Sequence, residues 1–138
     1  MPLQLDIVTP EKSILSEPVD SVVLPGSEGE LGVLPQHVPL VTVLKPGELA
    51  FTKEGKTTHF ATGTGFVEIT GQRVAVLTDM AMTEHEIDEH AVQEAMDRAQ
   101  QRLQSIAHDE HAEEVAALQA MIQKSMAQLH LKRRRRSI

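Results

Sequence analysis

The hydrophobic period of this chain changes once, near residue 84, and that change limits the folds open to it. Up to Thr83 the apolar residues alternate in short runs: LQLDIV (3–8), DSVVLP (20–25), GELAFTK (47–53), KTTHFAT (56–62), GFVEIT (65–70) and RVAVLT (73–78). Turn signals separate the runs: Thr9-Pro10, Pro25-Gly26, Pro46-Gly47, Glu54-Gly55 and Thr70-Gly71-Gln72. GFVEIT-GQ-RVAVLT reads as a hairpin closed by a short glycine turn. Many short strands at this spacing predict an antiparallel β-sandwich.

From about His85 the period becomes helical. IDEHAVQEAMDRAQQRLQSI places Ile87, Ala91, Ala95, Ala99, Leu103 and Ile106 three or four apart, on one helix face. Thr83 with Glu86 has the spacing of a capping box for that helix. AEEVAALQAMIQKSMAQLHL repeats the pattern with Val115, Leu118, Ile122, Met126 and Leu129. SIAHDEH between them suits a turn. The expectation is a β-sandwich over 1–84 and an antiparallel two-helix hairpin with a basic tail over 85–138. An alanine stripe buries little area per residue, so such a hairpin is marginal alone. It should dock on another surface, or move.

Composition narrows the function. The chain has 138 residues with three Phe and no Tyr, Trp or Cys. Its core must be aliphatic, and base stacking on aromatics is disfavoured. Disulfides, thiolate metal sites and cysteine nucleophiles are excluded. No apolar run approaches the ~18 residues of a membrane span, and the N-terminus has neither signal- nor transit-peptide character. Residues 1–83 carry ten acids and five bases, and residues 84–131 ten acids and three bases. Lys132 to Arg136 are five bases in a row. An acidic body disfavours nucleic-acid binding. The tail has two readings: an anionic partner such as lipid or nucleic acid, or cations complementing a helix C-terminus.

No catalytic or metal constellation passes the spacing checks. His85 and His90 stand about 140° apart around a helix. His108 and His111, with Asp109 and Glu110, form at most a loose chelate. GSEG at 26–29 is not a nucleophile elbow. GSEGELG lacks the lysine and following helix of a phosphate loop. Its glycines suit tight turns on a surface. The chain is expected to be no enzyme and to hold no metal.

VTPEKSILSEPVDSVVLPGSEGELGVLPQHVPLVTVLKPGEL, residues 8–49, closely resembles the N-terminal part of the epsilon subunit of bacterial F-type ATP synthases. GTGFVEITGQRVAVLTDMA (63–81) resembles the second block of that family. The resemblance spans essentially the whole chain and is weaker in the helical part. It implies a flattened sandwich of about ten strands followed by a helical hairpin. It also implies a non-catalytic central-stalk subunit, bound to the gamma subunit and the membrane c-ring below the alpha and beta subunits of the catalytic head. Such a subunit couples proton transport to ATP synthesis. It lies on the cytoplasmic side of a bacterial membrane, attached through the complex alone. In many members the C-terminal helices also inhibit ATP hydrolysis. The alternative is a stand-alone sandwich that uses its basic tail on an anionic partner.

Residue by residue, the resemblance places a c-ring contact on Glu28, Glu30 and Leu31, and a gamma contact on His37 and Val38. Some members bind ATP at the hairpin through an I-D-x-x-R-A motif. Ile87 and Asp88 match it, but Ala91-Val92 replace the Arg-Ala pair. Lys124 and Gln128 stand where those members have arginines. Arg98 remains available. Without the guanidinium forks, bidentate phosphate contacts are lost and any ATP site is weak.

Overall fold

A computed structural model describes residues 3–136 of the chain, with the side chains of 135 and 136 outside the described set. Ten strands come first: β1 (Leu3–Val8), β2 (Ser13–Val19), β3 (Ser21–Gly26), β4 (Gly29–Val33), β5 (Leu40–Leu44), β6 (Gly47–Lys53), β7 (Lys56–Thr62), β8 (Gly65–Thr70), β9 (Arg73–Thr78) and β10 (Ala81–Thr83). A single 3-10 turn (Glu84–Glu86) leads to α1 (Glu89–Ser105) and α2 (Ala112–Arg136).

The strands pair in the order β10-β7-β6-β3-β5-β8-β9-β1-β2, with β4 also on β3. The pairing of β3 with β5 is a single residue pair, Gly26 with Leu44. The sheet folds over at this corner, placing β5-β8-β9-β1-β2 against β10-β7-β6-β3-β4. Each strand sends alternate residues inward. Leu3, Leu5, Ile7, Val22, Leu24, Leu44, Leu49, Val67, Ile69, Val74 and Val76 are all at most 1% exposed. Phe51 and Phe60 stack between them with ring centroids 6.2 Å apart. The core is aliphatic, as the composition requires.

The six strands expected from the alternation are present. β2, β4, β5 and β10 lie outside that set. β2 carries Pro18 and opens on a half-exposed face, so its alternation is blurred. β4 contains Gly29 and Gly32, which read as turn residues in sequence. Gly29 has φ +118°, a conformation that L side chains rarely adopt, and it follows the Ser27–Glu28 turn. One pairing departs from the antiparallel expectation: β1 runs parallel to β9. Gly65 opens β8 so close to β9 that a Cβ there would overlap the Leu77 carbonyl. A side chain at that position would push the two strands apart.

β1 also carries a buried carboxylate. Asp6 accepts from Ser16 Oγ at 2.6 Å, Gln4 Nε2 at 3.2 Å and Arg73 Nε at 2.8 Å. Above all the Ser16 hydrogen bond, helped by Gln4 and the Arg73 guanidinium, holds its carboxyl below the usual aspartate range against the opposing effect of burial. A depressed carboxylate stabilises the fold above its unfolded-state value, and that stability is lost as pH falls through the folded-state value. Acid unfolding of the chain below about pH 4 should therefore be less steep in Asp6→Asn than in the parent. Equal slopes in thermal melts between pH 5 and pH 2 would remove Asp6 from the account.

The helical half begins four residues later than its period suggests. The Thr83–Glu86 box does form: Glu86 Oε1 accepts from Thr83 N at 3.0 Å and Thr83 Oγ1 at 2.9 Å. It closes the 3-10 turn, and α1 takes Asp88 as its N-cap, with Ala91 N donating to Asp88 Oδ1 at 3.1 Å. Ile87 sits outside α1 and is buried against Ala61 and Leu131. On α2, Met126 of the expected apolar stripe is exposed, whereas Leu131, outside that stripe, is fully buried. The reason is that α2 faces two neighbours. Val115, Leu118 and Ile122 are half-buried and Leu129 is buried, while Lys124, Gln128 and Leu131 lie on the side that meets the sandwich.

Candidate functional site: two contact surfaces and a docked hairpin

The first surface is built on the outer side of β5, β8, β9 and β1. Register aligns Val43 with Phe66, Phe66 with Leu77, and Leu77 with Val8. These four side chains form one apolar row across four strands. Phe66 is 61% exposed and Leu77 53%. Val41, next outward-facing residue on β5, is exposed beside it. Aliphatic and aromatic side chains in a contiguous exposed row mark a docking surface for another protein. Beyond Val41 the next register row carries Glu68 and the Asp6–Arg73 pair, with Ala75 between them. That is the rim expected around an apolar contact.

His37 and Val38 lie in the loop before β5. Gln36, at φ 67°, donates its N–H to the Gly71 carbonyl at 2.6 Å, which ties the loop to the β8–β9 turn. His37 Nδ1 lies 2.7 Å from the Val38 carbonyl, so the ring is oriented by the backbone. Val38 projects freely and is 75% exposed. The loop thus extends the β5 surface beyond Val41. Val43, Phe66, Leu77 and Val8 carry no motif, so sequence reasoning missed them. For Val8, Phe66 and Leu77 the signal was an apolar residue on the polar side of an alternating strand, whereas β5 does not alternate and gave none for Val43.

The second surface is the β3–β4 hairpin tip. Ser27 and Glu28 form its two-residue turn, and Gly26 pairs with Gly29. Glu28 and Glu30 are exposed, while Leu31 is half-buried and packs on the sandwich core. Ser27 N donates to the Val43 carbonyl at 3.0 Å, which anchors the acidic tip to the end of the apolar row.

The hairpin helices close on the sandwich through α2. Leu131 fills the space between Ala61 of β7 and Ile87. Polar contacts surround it: Lys124 Nζ to Asp79 Oδ2 at 3.2 Å, Gln128 Nε2 to Met82 Sδ at 3.0 Å, and Lys132 Nζ to Glu84 Oε1 at 3.3 Å. Arg133 Nε meets Glu89 at 2.9 Å, and Arg134 bonds Glu48 on β6. Lys132, Arg133 and Arg134 of the basic tail therefore reach back onto the chain itself, a role that neither reading of the tail foresaw. Arg102 and Glu114 join α1 to α2 with two bonds, at 2.6 and 3.2 Å.

The residues matching the ATP motif are not gathered into one site. Ile87 is buried, Asp88 caps α1, and Arg98 is exposed ten residues further along, about 15 Å at 1.5 Å per residue. Lys124 and Gln128 are engaged with Asp79 and Met82. Among the described residues no three His, Asp or Glu side chains converge as a metal cluster. His108 lies against the Leu103 carbonyl at 2.9 Å.

The family model for the ATP synthase Delta/Epsilon chain beta-sandwich domain matches residues 2–84. Curated relatives extend the match through the helices. The ATP synthase epsilon chain of Herpetosiphon aurantiacus is 39% identical over 137 residues, covering 99% of this chain and 98% of its own length. That of Desulforamulus reducens is 46% identical over 120 residues, covering 86% and 91%. The chain belongs to the ATP synthase epsilon-chain family. Among solved structures, a chain of the Euglena gracilis mitochondrial ATP synthase OSCP/F1/c-ring assembly is similar with a TM-score of 0.78 at 26% identity, over 91% of this chain and 78% of that one. A chain of the Tetrahymena thermophila central stalk/c-ring shares the fold at a TM-score of 0.54 and 16% identity, over 62% and 69%. The sandwich-plus-hairpin architecture expected from the epsilon resemblance is the one observed.

Proposed function

We propose that this chain is a non-catalytic central-stalk subunit of a rotary ATP synthase, joining gamma to the c-ring. The observation that carries this is the apolar row Val43–Phe66–Leu77–Val8 lying beside the acidic tip of Glu28 and Glu30 on one sandwich. The row, extended by Val41, Val38 and the oriented His37, is the gamma surface. The tip is the c-ring surface, where Glu28 and Glu30 meet basic loops and Leu31 steadies the turn. An apolar surface gives a tight, permanent joint, whereas exposed ion pairs contribute only ~0–1 kcal/mol each and let the contact be regular around a ring. Torque then passes through a stiff sandwich, and proton flow is coupled to synthesis without chemistry on this chain.

The two parts act as separate units, 1–84 for coupling and 85–138 for regulation. Among the described residues no helix is long and apolar enough to cross a membrane. Attachment is through the complex, on the cytoplasmic side of a bacterial membrane. Affinity purification of the tagged full-length chain from solubilised membranes tests this reading. Recovery of gamma, c and the catalytic subunits supports it. Recovery of nucleic acid or lipid vesicles alone, released by salt, supports the stand-alone module instead.

A second reading concerns the helices. Their docking on the sandwich relies on one fully buried leucine and a ring of half-exposed polar pairs, which a competing surface can replace. Released, they uncover Leu131 and free Lys132, Arg133 and Arg134 to face the head. Ending the chain after residue 84 should raise ATP hydrolysis by the assembled enzyme several-fold, read as phosphate release. An unchanged rate assigns no inhibition to the helices of this member.

A further inference from the structure

His59 on β7 belongs to neither contact surface and to no motif, yet it sits where α2 meets the sandwich. Its Nδ1 lies 2.6 Å from Glu48 Oε1 on β6. Arg134 Nη2 bonds the same Glu48 oxygen and lies 3.3 Å from His59 Nδ1. Ring nitrogen and carboxylate oxygen at 2.6 Å require a hydrogen on Nδ1, since two lone pairs would repel. Two donors, His59 and Arg134, therefore converge on one acceptor. His59 and Glu48 are largely buried, with side chains 21% and 17% exposed, so water screens this cluster only partly.

We propose that the cluster is a proton-operated latch, in which protonation of His59 weakens the hold of Glu48 on Arg134 and raises the opening of the C-terminal end of α2. With His59 neutral, one guanidinium balances one carboxylate and the latch is closed. With His59 protonated, two cations stand 3.3 Å apart over a single carboxylate. The imidazolium–Glu48 pair is complete without Arg134, so opening loses the Arg134–Glu48 attraction but keeps one ion pair and sheds the repulsion, which makes opening easier than with His59 neutral. The coupling is reciprocal: docking of Arg134 opposes protonation of His59, and protonation opposes docking. Acid therefore loosens the latch.

The other charged groups on the packed elements do not reverse this. On α2, Lys132 pairs with Glu84 of the 3-10 turn and Arg133 with Glu89 of α1. His130, one turn before Arg134, is exposed, and β10, beside β7, brings Met82 and Thr83. His85 pairs with Glu84 at 3.2 Å and is 94% exposed, and His90 pairs with Glu94 on α1. Acidic carboxylates remain ionised at pH 5.5, so the window between pH 7.5 and 5.5 reads the histidines. The latch deepens the regulatory reading of the helices, because it names the signal that would release them. Its tests use the full chain alone and fail separately from any test of inhibition.

Two measurements decide it. In an NMR titration of the full-length chain, Arg134→Gln should raise the His59 midpoint by about one pH unit, the scale of one close charge partner. An unchanged or lowered midpoint overturns the latch, whether or not the helices of the variant stay docked. In hydrogen exchange, corrected for intrinsic amide chemistry, opening of residues 126–134 should rise about tenfold from pH 7.5 to 5.5, the equivalent of one unit of coupling. His59→Gln should flatten that response to within about twofold on the same scale. A flat response in the parent, or the same response in His59→Gln, overturns it.

Discussion

Phe66→Asp should abolish stable binding of the chain to gamma while leaving the sandwich folded. Phe66 stands in the middle of the apolar row, flanked in register by Val43 and Leu77, and contributes little to the core because most of its surface is exposed. A central aromatic in a protein interface is the type of residue whose loss costs about 2–4 kcal/mol, and a carboxylate adds the cost of burying an unpaired charge. A loss of about 3 kcal/mol is a factor of about 150 in affinity. Isothermal titration against purified gamma, with circular dichroism melts of both proteins, separates this from misfolding. A variant that melts with the parent and binds gamma as tightly places the gamma surface elsewhere.

Leu131→Asp should release the helices from the sandwich. Leu131 is fully buried between Ala61 and Ile87, and the rest of that contact is half-exposed polar pairing. Removing the leucine forfeits about 1.5–3 kcal/mol of apolar burial. Placing a carboxylate there costs several kcal/mol more unless the helices come away. The other buried residues described on the helices, Ala99, Ser125 and Leu129, do not belong to the Ala61–Ile87–Leu131 contact. Amide exchange over residues 126–134 should accelerate by at least about 100-fold, the equivalent of about 3 kcal/mol. The core strands β1, β8 and β9 should keep their protection. Unaltered exchange at the C-terminal end of α2 would mean that the polar pairs hold the hairpin by themselves.

Much of this architecture is legible in the sequence because period and turn chemistry agree. The β8–β9 hairpin shows it best: alternation over GFVEIT and RVAVLT is broken by Gly71-Gln72, and the register runs from Gly65–Thr78 to Thr70–Arg73. Local signals failed where one residue type serves two purposes. Gly29 and Gly32 belong to strand β4, yet glycine marks turns. Thr83 and Glu86 form their capping box, yet around a 3-10 turn, because Ile87 must leave the helical path to fill the space beneath Leu131. Leu131 itself falls off the expected stripe because α2 serves two faces.

The candidate site divides in the same way. Glu28, Glu30, His37 and Val38 are contiguous in one signature and were singled out from it. The apolar row was invisible because the parallel pairing of β1 with β9 brings Val8 beside Leu77 from the far end of the domain. Alternation alone places Val8, Phe66 and Leu77 on outward faces, but in LVTVL it would turn Thr42 outward, so only the register sets Val43 beside Phe66. The same holds for Glu48, His59 and Arg134, which three separate elements deliver to one oxygen.

Mechanical coupling through the Phe66 surface is read out by ATP-driven proton pumping. Inside-out membranes from cells that lack the chain, and from cells complemented with the parent or with Phe66→Asp, can be compared by quenching of a pH-sensitive dye. Pumping should be restored by the parent and not by Phe66→Asp. Pumping at parental rates in membranes carrying Phe66→Asp, or in membranes lacking the chain altogether, would contradict it.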